Sequence, residues 1–294
     1  MFYFKEGMIV KMGKVRIVAD STCDLNEKLA KEYDVTIIPL CVILGDDSFY
    51  DGEEITPEKM YEWADANKTT PKTAAVTMDK SQEILKPMMD AGDDIIFFGI
   101  SEQMSTTCQV IRIVADENEY KRLFVIDSMN LSTGIGLQVL RACRLRDEGL
   151  GAEEIVERIN AARDKVRASF IVDTLTYLAR GGRCSSVTAL LGNALHLHPE
   201  IVVENGAMRV DRKYRGKLSG VLLKYAKDRE EEILTADENC IFITHSGLPE
   251  ETVNAVRDYL VNLGYFKEVY ITRAGGVISS HCGPGTLGVL YYVK

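Results

Sequence analysis

No apolar run in the chain approaches the roughly 20 residues that a membrane-crossing helix needs; Ile95 to Ile100 is among the longest and is far shorter. Stable membrane insertion is therefore not expected. The seven cysteines, at 23, 41, 108, 143, 184, 240 and 282, are an odd number scattered singly, without a Cys-x-x-Cys pair. That excludes a zinc ribbon or a dithiol redox centre and reads as reduced cytosolic thiols. Positive charge is also scarce: 35 Lys plus Arg stand against 44 Asp plus Glu, a net charge of −9, and no basic run would track a phosphate backbone. Nucleic acid is not an expected partner. The sequence has no GxSxG elbow, no GxxxxGK[ST] phosphate loop and no HExxH, so several of the best-known catalytic frameworks are missing. The first dozen residues are mildly apolar but contain Glu6 and lack a small-residue cleavage site. They do not read as a signal peptide, and a cytoplasmic location is expected.

What the chain has is length and apolar content, 294 residues at 46% hydrophobic, enough to bury a large core in two domains. The β-branched run Val15 to Ala19 ends in Asp20, and Asp24 then reads as the N-cap of a helix through Leu29 and Tyr33. A second apolar run, Val35 to Leu44, is interrupted by Pro39. Thr56-Pro57 supplies an N-cap with proline at N1 for a helix through Trp63, and a further helix is expected from Asp79. The fully apolar strand Ile95 to Ile100 and the strand Leu123 to Ile126 flank Val110, Ile111 and Val114 at helical spacing. Unbroken apolar strands alternating with helices suit a parallel sheet covered on both faces. Two long amphipathic helices, Ser132 to Glu148 and Ala152 to Val166, are positioned to bridge the halves. Beyond Ser169 short strands predominate, and Glu204-Asn205-Gly206 carries a tight-hairpin signature. The expected fold class is α/β with two domains: an N-terminal parallel-sheet α/β domain over 13–168, and a C-terminal α/β domain over 169–294 with a smaller mixed or antiparallel sheet and helices on one face.

Polar loops concentrate at the ends of these strands, where ligands of α/β sheets bind. Ser101 to Thr107 is rich in hydroxyls and opens a helix, an arrangement that accepts an anion, although Ser105 equally reads as an N-cap. Arg180-Gly-Gly-Arg183 makes a tight reversal whose arginines either reach an anion or stay solvated around a C-cap. GGVISSHCGPGTLG, Gly275 to Gly288, shapes the backbone to bring the imidazole of His281 close to something compact, which makes His281 the leading functional candidate. Cys282 beside it matches no local cysteine-hydrolase signature, and His196-Leu-His198 lacks a third metal ligand, so a core or surface role is favoured for that pair. No metal or cofactor is expected. Asp20-Ser21-Thr22 begins like an aspartyl-phosphate site but has Thr22 where a second acid belongs. The roles of Asp20, Asp24 and Asp127 stay open between structural caps and contacts to a site.

Seven segments in order, ADSTCDL, VTIIPL, PKTAAVT, ISEQMSTTCQ, VIDS, FIVDTLTYLARGGR and HCGPGTLG, resemble the DegV family of bacterial fatty-acid-binding proteins. The resemblance spans nearly the whole chain from Val15 onward. It implies a two-domain α/β carrier, not an enzyme, that holds one long-chain fatty acid between its domains. In some members the acid is presented to a dihydroxyacetone-kinase-like fatty acid kinase that makes an acyl phosphate for lipid synthesis. Carried over by position, Thr73 and Ser105 would bind the carboxylate, while His281 and Arg183 or Arg180 would form the supporting polar network. The sequence departs from the family pattern at TAAVT, where Thr-Ser-x-Pro-Ser is usual, and at Thr106, where glycine is usual. The rival reading is a small-molecule phosphatase or acyl hydrolase using His281 as base or Cys282 as nucleophile. A third is a receptor for a non-lipid anion, which a polar tunnel would favour.

Overall fold

The computed structural model describes residues 2–5, 8–11, 13–188 and 197–294. Its first two strands, β1 (Phe2–Lys5) and β2 (Met8–Lys11), pair antiparallel with each other. The next, β3 (Val15–Asp20), enters a four-stranded sheet with β4 (Val35–Ile38), β8 (Asp94–Gly99) and β9 (Leu123–Asp127), in the order β4-β3-β8-β9 and parallel throughout. Its centre is dry on both faces: Ile95 to Phe98 are fully buried, as their unbroken apolar sequence requires. Pro39 divides the second apolar run between two sheets. After it, β5 (Cys41–Leu44) joins β6 (Asp47–Tyr50) and β7 (Lys72–Ala74) in a three-stranded antiparallel sheet with order β6-β5-β7.

The remaining strands are β10 (Val166–Ile171), β11 (Leu197–Glu204), β12 (Ala207–Arg215), β13 (Ala236–His245), β14 (Glu268–Arg273) and β15 (Leu287–Val293). They form one mixed sheet, β12-β11-β10-β15-β13-β14, in which β13 and β14 alone run parallel. With six strands against four, this sheet is the larger of the two principal ones, not the smaller. The β11-β12 turn is a tight hairpin with Asn205 at φ 51° and Gly206 at φ 80°, the left-handed pair that Asn-Gly favours.

The helix Thr133–Asp147 holds the two principal sheets together. Ile135, Val139, Ala142 and Cys143 share a core with Ile17, Ala19, Ile96 and Phe98 of the parallel sheet, while Leu137 and Leu140 pack with Val166, Ala168, Phe242 and Leu290 of the mixed one. Covered from both sides, it buries residues all round rather than presenting the solvated face expected of an amphipathic helix. On the other face of the mixed sheet, the helices Leu218–Asp228 and Glu250–Asn262 pack against Ile241, Ile243, Val289 and Tyr291.

Local caps follow the side-chain chemistry, with two corrections. Thr56 caps the helix Pro57–Asn67 with proline at N1, as expected. The helix expected from Asp79 is Met78–Asp90, capped by Thr77. Asp24 is not the N-cap of the first α-helix, Glu27–Glu32; Asn26 is, accepting from Leu29 N at 2.9 Å. Asp24 is instead buried at φ 51° and accepts from Gly275 N, far along the chain.

Candidate ligand-binding site

Three glycine-dependent close approaches bring the candidate residues together. His281 sits in the last turn of the short helix Gly276–Cys282. A Cβ built on Gly181 would stand 2.3 Å from His281 Nδ1, so the Arg-Gly-Gly-Arg turn carries glycine there to seat the imidazole against backbone. At the other end of that helix, a Cβ on Gly275 would lie 3.1 Å from Asp51 Oδ2 and 3.3 Å from Asp24 Oδ1, and one on Gly276 would lie 2.8 Å from Asp51 Oδ1. Both glycines let the chain approach buried carboxylates.

The opposite nitrogen of the ring, His281 Nε2, is 2.9 Å from Thr73 Oγ1 on β7. Burial, reinforced by the Arg183 charge, pushes the imidazole down to about 4, so it is neutral at pH 7. Nδ1 is buried without a hydrogen-bond partner among the described residues. A proton on Nδ1 would be a stranded donor, whereas a proton on Nε2 is donated to Thr73 Oγ1. The favoured tautomer therefore leaves the Thr73 hydroxyl proton free for another acceptor.

Ser105 precedes the helix Thr107–Glu117 and is half-buried. Its Oγ accepts from Thr107 N at 3.3 Å and lies 3.0 Å from Thr107 Oγ1. When Thr107 donates in that contact, the Ser105 proton is also free. Formally the N-cap is Thr106, with φ −88° and no side-chain cap bond; this backbone is open to any residue, so threonine is accommodated there. Arg183 ties the two arms together, Nη1 donating to Gly181 O at 2.7 Å and Nε to Met104 O at 3.3 Å.

Thr73, Ser105, Arg183 and His281 all line one cavity of about 520 Å³, within the ~300–1,000 Å³ of small-molecule sites. Arg180 does not; it is exposed on the helix Thr176–Gly181. The rest of the wall is largely apolar, including Leu40, Ile100, Met104, Leu131, Met208 and Ile278. Leu131, Ile278 and Cys282 also line a second void of about 20 Å³, closed by Phe170, Ala274 and Leu290. Glu102 at the rim is paired with Arg112 at 2.6 Å.

The hydrolase chemistry is poorly served. Burial pushes the Cys282 thiol up to about 12, so it stays protonated and is no nucleophile at neutral pH. An imidazole at about 4 is a weak general base there. His198 is buried with Nε2 3.1 Å from Gly216 O, and His196 lies outside the described residues. Among the described residues no cluster of three His, Cys, Asp or Glu could hold a metal ion, and no helix is long and apolar enough to cross a membrane.

The residues that sequence reasoning missed are geometric: Gly181, Gly276, Asp51 and the apolar wall. Asp20 and Asp24 also resolve as frame rather than lining. Asp20 accepts from Ile100 N at 2.8 Å and from the Thr22 hydroxyl, pinning the start of the Ser105 loop. Burial pushes Asp20 up to about 6 and Asp24 to about 8.

These features define a class: an α/β protein with a parallel and a mixed sheet and a cavity whose wall is largely apolar and whose polar residues include Thr73, Ser105, Arg183 and His281. The fold is shared with known proteins. The model of the DegV family, described as a family of uncharacterised proteins, matches residues 14–294. DegV domain-containing proteins of Clostridium perfringens and Clostridium acetobutylicum are 30% and 31% identical, covering 95% and 96% of this chain and 99% and 100% of theirs. A solved DegV family protein from Thermus thermophilus, described as fatty acid binding, superposes with a TM-score of 0.87 at 28% identity, covering 96% of this chain and all of that one. The chain belongs to the DegV family.

Proposed function

We propose that this protein binds one long-chain fatty acid and carries it for lipid metabolism in the cytoplasm. The observation that carries the reading is the Thr73–His281 pair in a cavity whose wall is otherwise largely apolar. Burying an unpaired carboxylate is very unfavourable, and here Thr73 and Ser105 each offer a free hydroxyl proton. His281 holds the Thr73 hydroxyl from behind, and Arg183 ties the backbone beside Ser105 through Met104 O. The tail then runs along Leu40, Ile100, Met104, Leu131 and Ile278. A sixteen-carbon chain contributes on the order of 12 kcal/mol gross, at about 0.8 kcal/mol per methylene before ordering costs. Tight binding therefore needs no chemistry at the site. The fatty acid binding described for the Thermus thermophilus relative supports the ligand class.

On this reading the ligand lies between two domains, 13–168 and 169–294, with the dividing line inside β10 (Val166–Ile171). Delivery to a dihydroxyacetone-kinase-like fatty acid kinase, which would convert the acid to an acyl phosphate, is the downstream step we favour. The test is native mass spectrometry of the purified protein, then denaturation and lipid extraction. A one-to-one adduct with the mass of a long-chain fatty acid is expected, and Ser105→Ala should weaken it in titration without unfolding the protein. A clean apo mass that does not shift with added palmitate or oleate would sink the proposal.

A further inference from the structure

We infer that Asp51 is a positioning residue for the carboxylate end of the cavity, acting through the helix that carries His281. The inference rests on the fatty-acid reading and adds a residue that lies outside the cavity lining. The helix Gly276–Cys282 begins at Gly275, which has no side chain to cap it. Its leading N–H groups are held by two carboxylates from elsewhere in the chain. Gly275 N donates to Asp24 Oδ1 at 2.8 Å, Gly276 N to Asp51 Oδ1 at 2.6 Å, and Val277 N to Asp51 Oδ2 at 3.3 Å. Asp51 is thus the contact shared by two successive N–H groups at the N-terminal end.

Asp51 is itself fixed. It is 4% exposed, its N–H donates to Leu40 O at 2.9 Å, and its Oδ2 accepts from Ser21 Oγ at 2.9 Å. Asp24 behind it accepts from Ser132 Oγ at 2.5 Å. The carboxylate oxygens that face the helix each accept from at least one of its N–H groups, and a Cβ on Gly276 would stand 2.8 Å from Asp51 Oδ1 and one on Gly275 3.1 Å from Asp51 Oδ2. The helix start is therefore held against Asp51. His281 follows Gly276 by five residues, about 7.5 Å along a helix rising 1.5 Å per residue. A seven-residue helix has no length over which to bend, so a tilt at Asp51 displaces the imidazole. The 2.9 Å contact of Nε2 with Thr73 does not survive displacement beyond about half an ångström. Loss of that contact frees Thr73 to turn away from the ligand.

The test compares palmitate with hexadecanol, which has the same tail and no charge. In Asp51→Asn, the amide cannot accept from both N–H groups. Palmitate affinity should fall at least tenfold while hexadecanol affinity stays within about twofold. The ¹⁵N signals of the His281 imidazole, identified by their loss in His281→Gln, should move away from the Nε2–H pattern of the wild type. Gly276→Ala keeps the carboxylate but pushes the helix off it, and should reproduce the same selective loss. Equal losses for both ligands, no loss, or failure of both variants to fold would assign Asp51 to stability alone and overturn the inference. If the wild type binds neither ligand, the fatty-acid reading fails instead, and the imidazole signals still decide whether Asp51 places the ring.

Discussion

Replacing Thr73 with valine removes one hydroxyl and almost nothing else. The side chain keeps its volume and its β-branched shape, which suits β7, and the site is half-buried, so no cavity opens. Two effects follow from the geometry. First, the ligand carboxylate loses a charge-assisted hydrogen bond, worth about 1.5–3 kcal/mol, which is roughly a 10- to 150-fold loss of affinity at 1.4 kcal/mol per decade. Second, His281 Nε2 loses its partner at 2.9 Å, and a buried donor left unmade costs about 1–3 kcal/mol of stability in the ligand-free protein. Displacement of a fluorescent fatty acid reports the first, and urea unfolding of delipidated protein reports the second. An affinity unchanged within twofold, alongside the expected stability loss, would mean the hydroxyl serves the imidazole alone. Equal weakening of palmitate and hexadecanol would show that the valine disturbs the tail cavity, and the head-group argument would fail.

Gly181→Ala should destabilise although alanine is favoured over glycine in a helix by up to about 1 kcal/mol: its methyl would sit 2.3 Å from His281 Nδ1, costing about 1–3 kcal/mol with a parallel loss of palmitate affinity, and a gain in either urea unfolding or binding would contradict the seat. Ile278→Ala thins the wall between the main cavity and the void bounded by Phe170 and Leu290. The preferred acyl length should shift upward by about fourfold in affinity per added methylene, from ~0.8 kcal/mol each, in titrations from C14 to C20; an unchanged profile means the tail takes another path. Asp24 gives a pH test. Burial raises it from an ordinary 3.8 to about 8, so the folded protein holds this proton more tightly than the unfolded chain. That contribution is complete below pH 3.8 and is lost as pH rises through about 8, at about 1.4 kcal/mol per unit. The stability of the wild type relative to Asp24→Asn should therefore fall steadily from pH 5 to pH 8 in urea denaturation, and a flat difference would show that Asp24 is ionised in the folded state throughout.

How much of this was legible in the chain depended on how far apart the interacting residues lie. The unbroken apolar strand at Ile95 to Ile100 announced a sheet covered on both faces, and Asn205-Gly206 announced its hairpin, because both signals are local. The helix Thr133–Asp147 misled because Gln138, Arg141 and Arg144 look like a solvated face. In the fold Gln138 Nε2 donates to Ser128 O at 2.9 Å, just past β9, and Arg144 reaches Cys240 Sγ at 3.6 Å on β13, a strand from the other half of the chain. Asp24 misled for the same reason, its partner Gly275 being 251 residues away. At the site, Ser105, Arg183 and His281 stood out as polar groups in glycine- or hydroxyl-rich loops and Thr73 only through the family resemblance, and all four line one cavity. Asp51 carried no local signal at all, and Gly181 read only as part of a tight reversal. A close approach between backbone and a distant side chain leaves no periodicity and no motif, only a residue too small or too buried for its surroundings. Substitutions chosen by polar chemistry alone would therefore pass over Gly181 and Gly276, where one added methyl group meets an imidazole or a carboxylate at less than van der Waals distance.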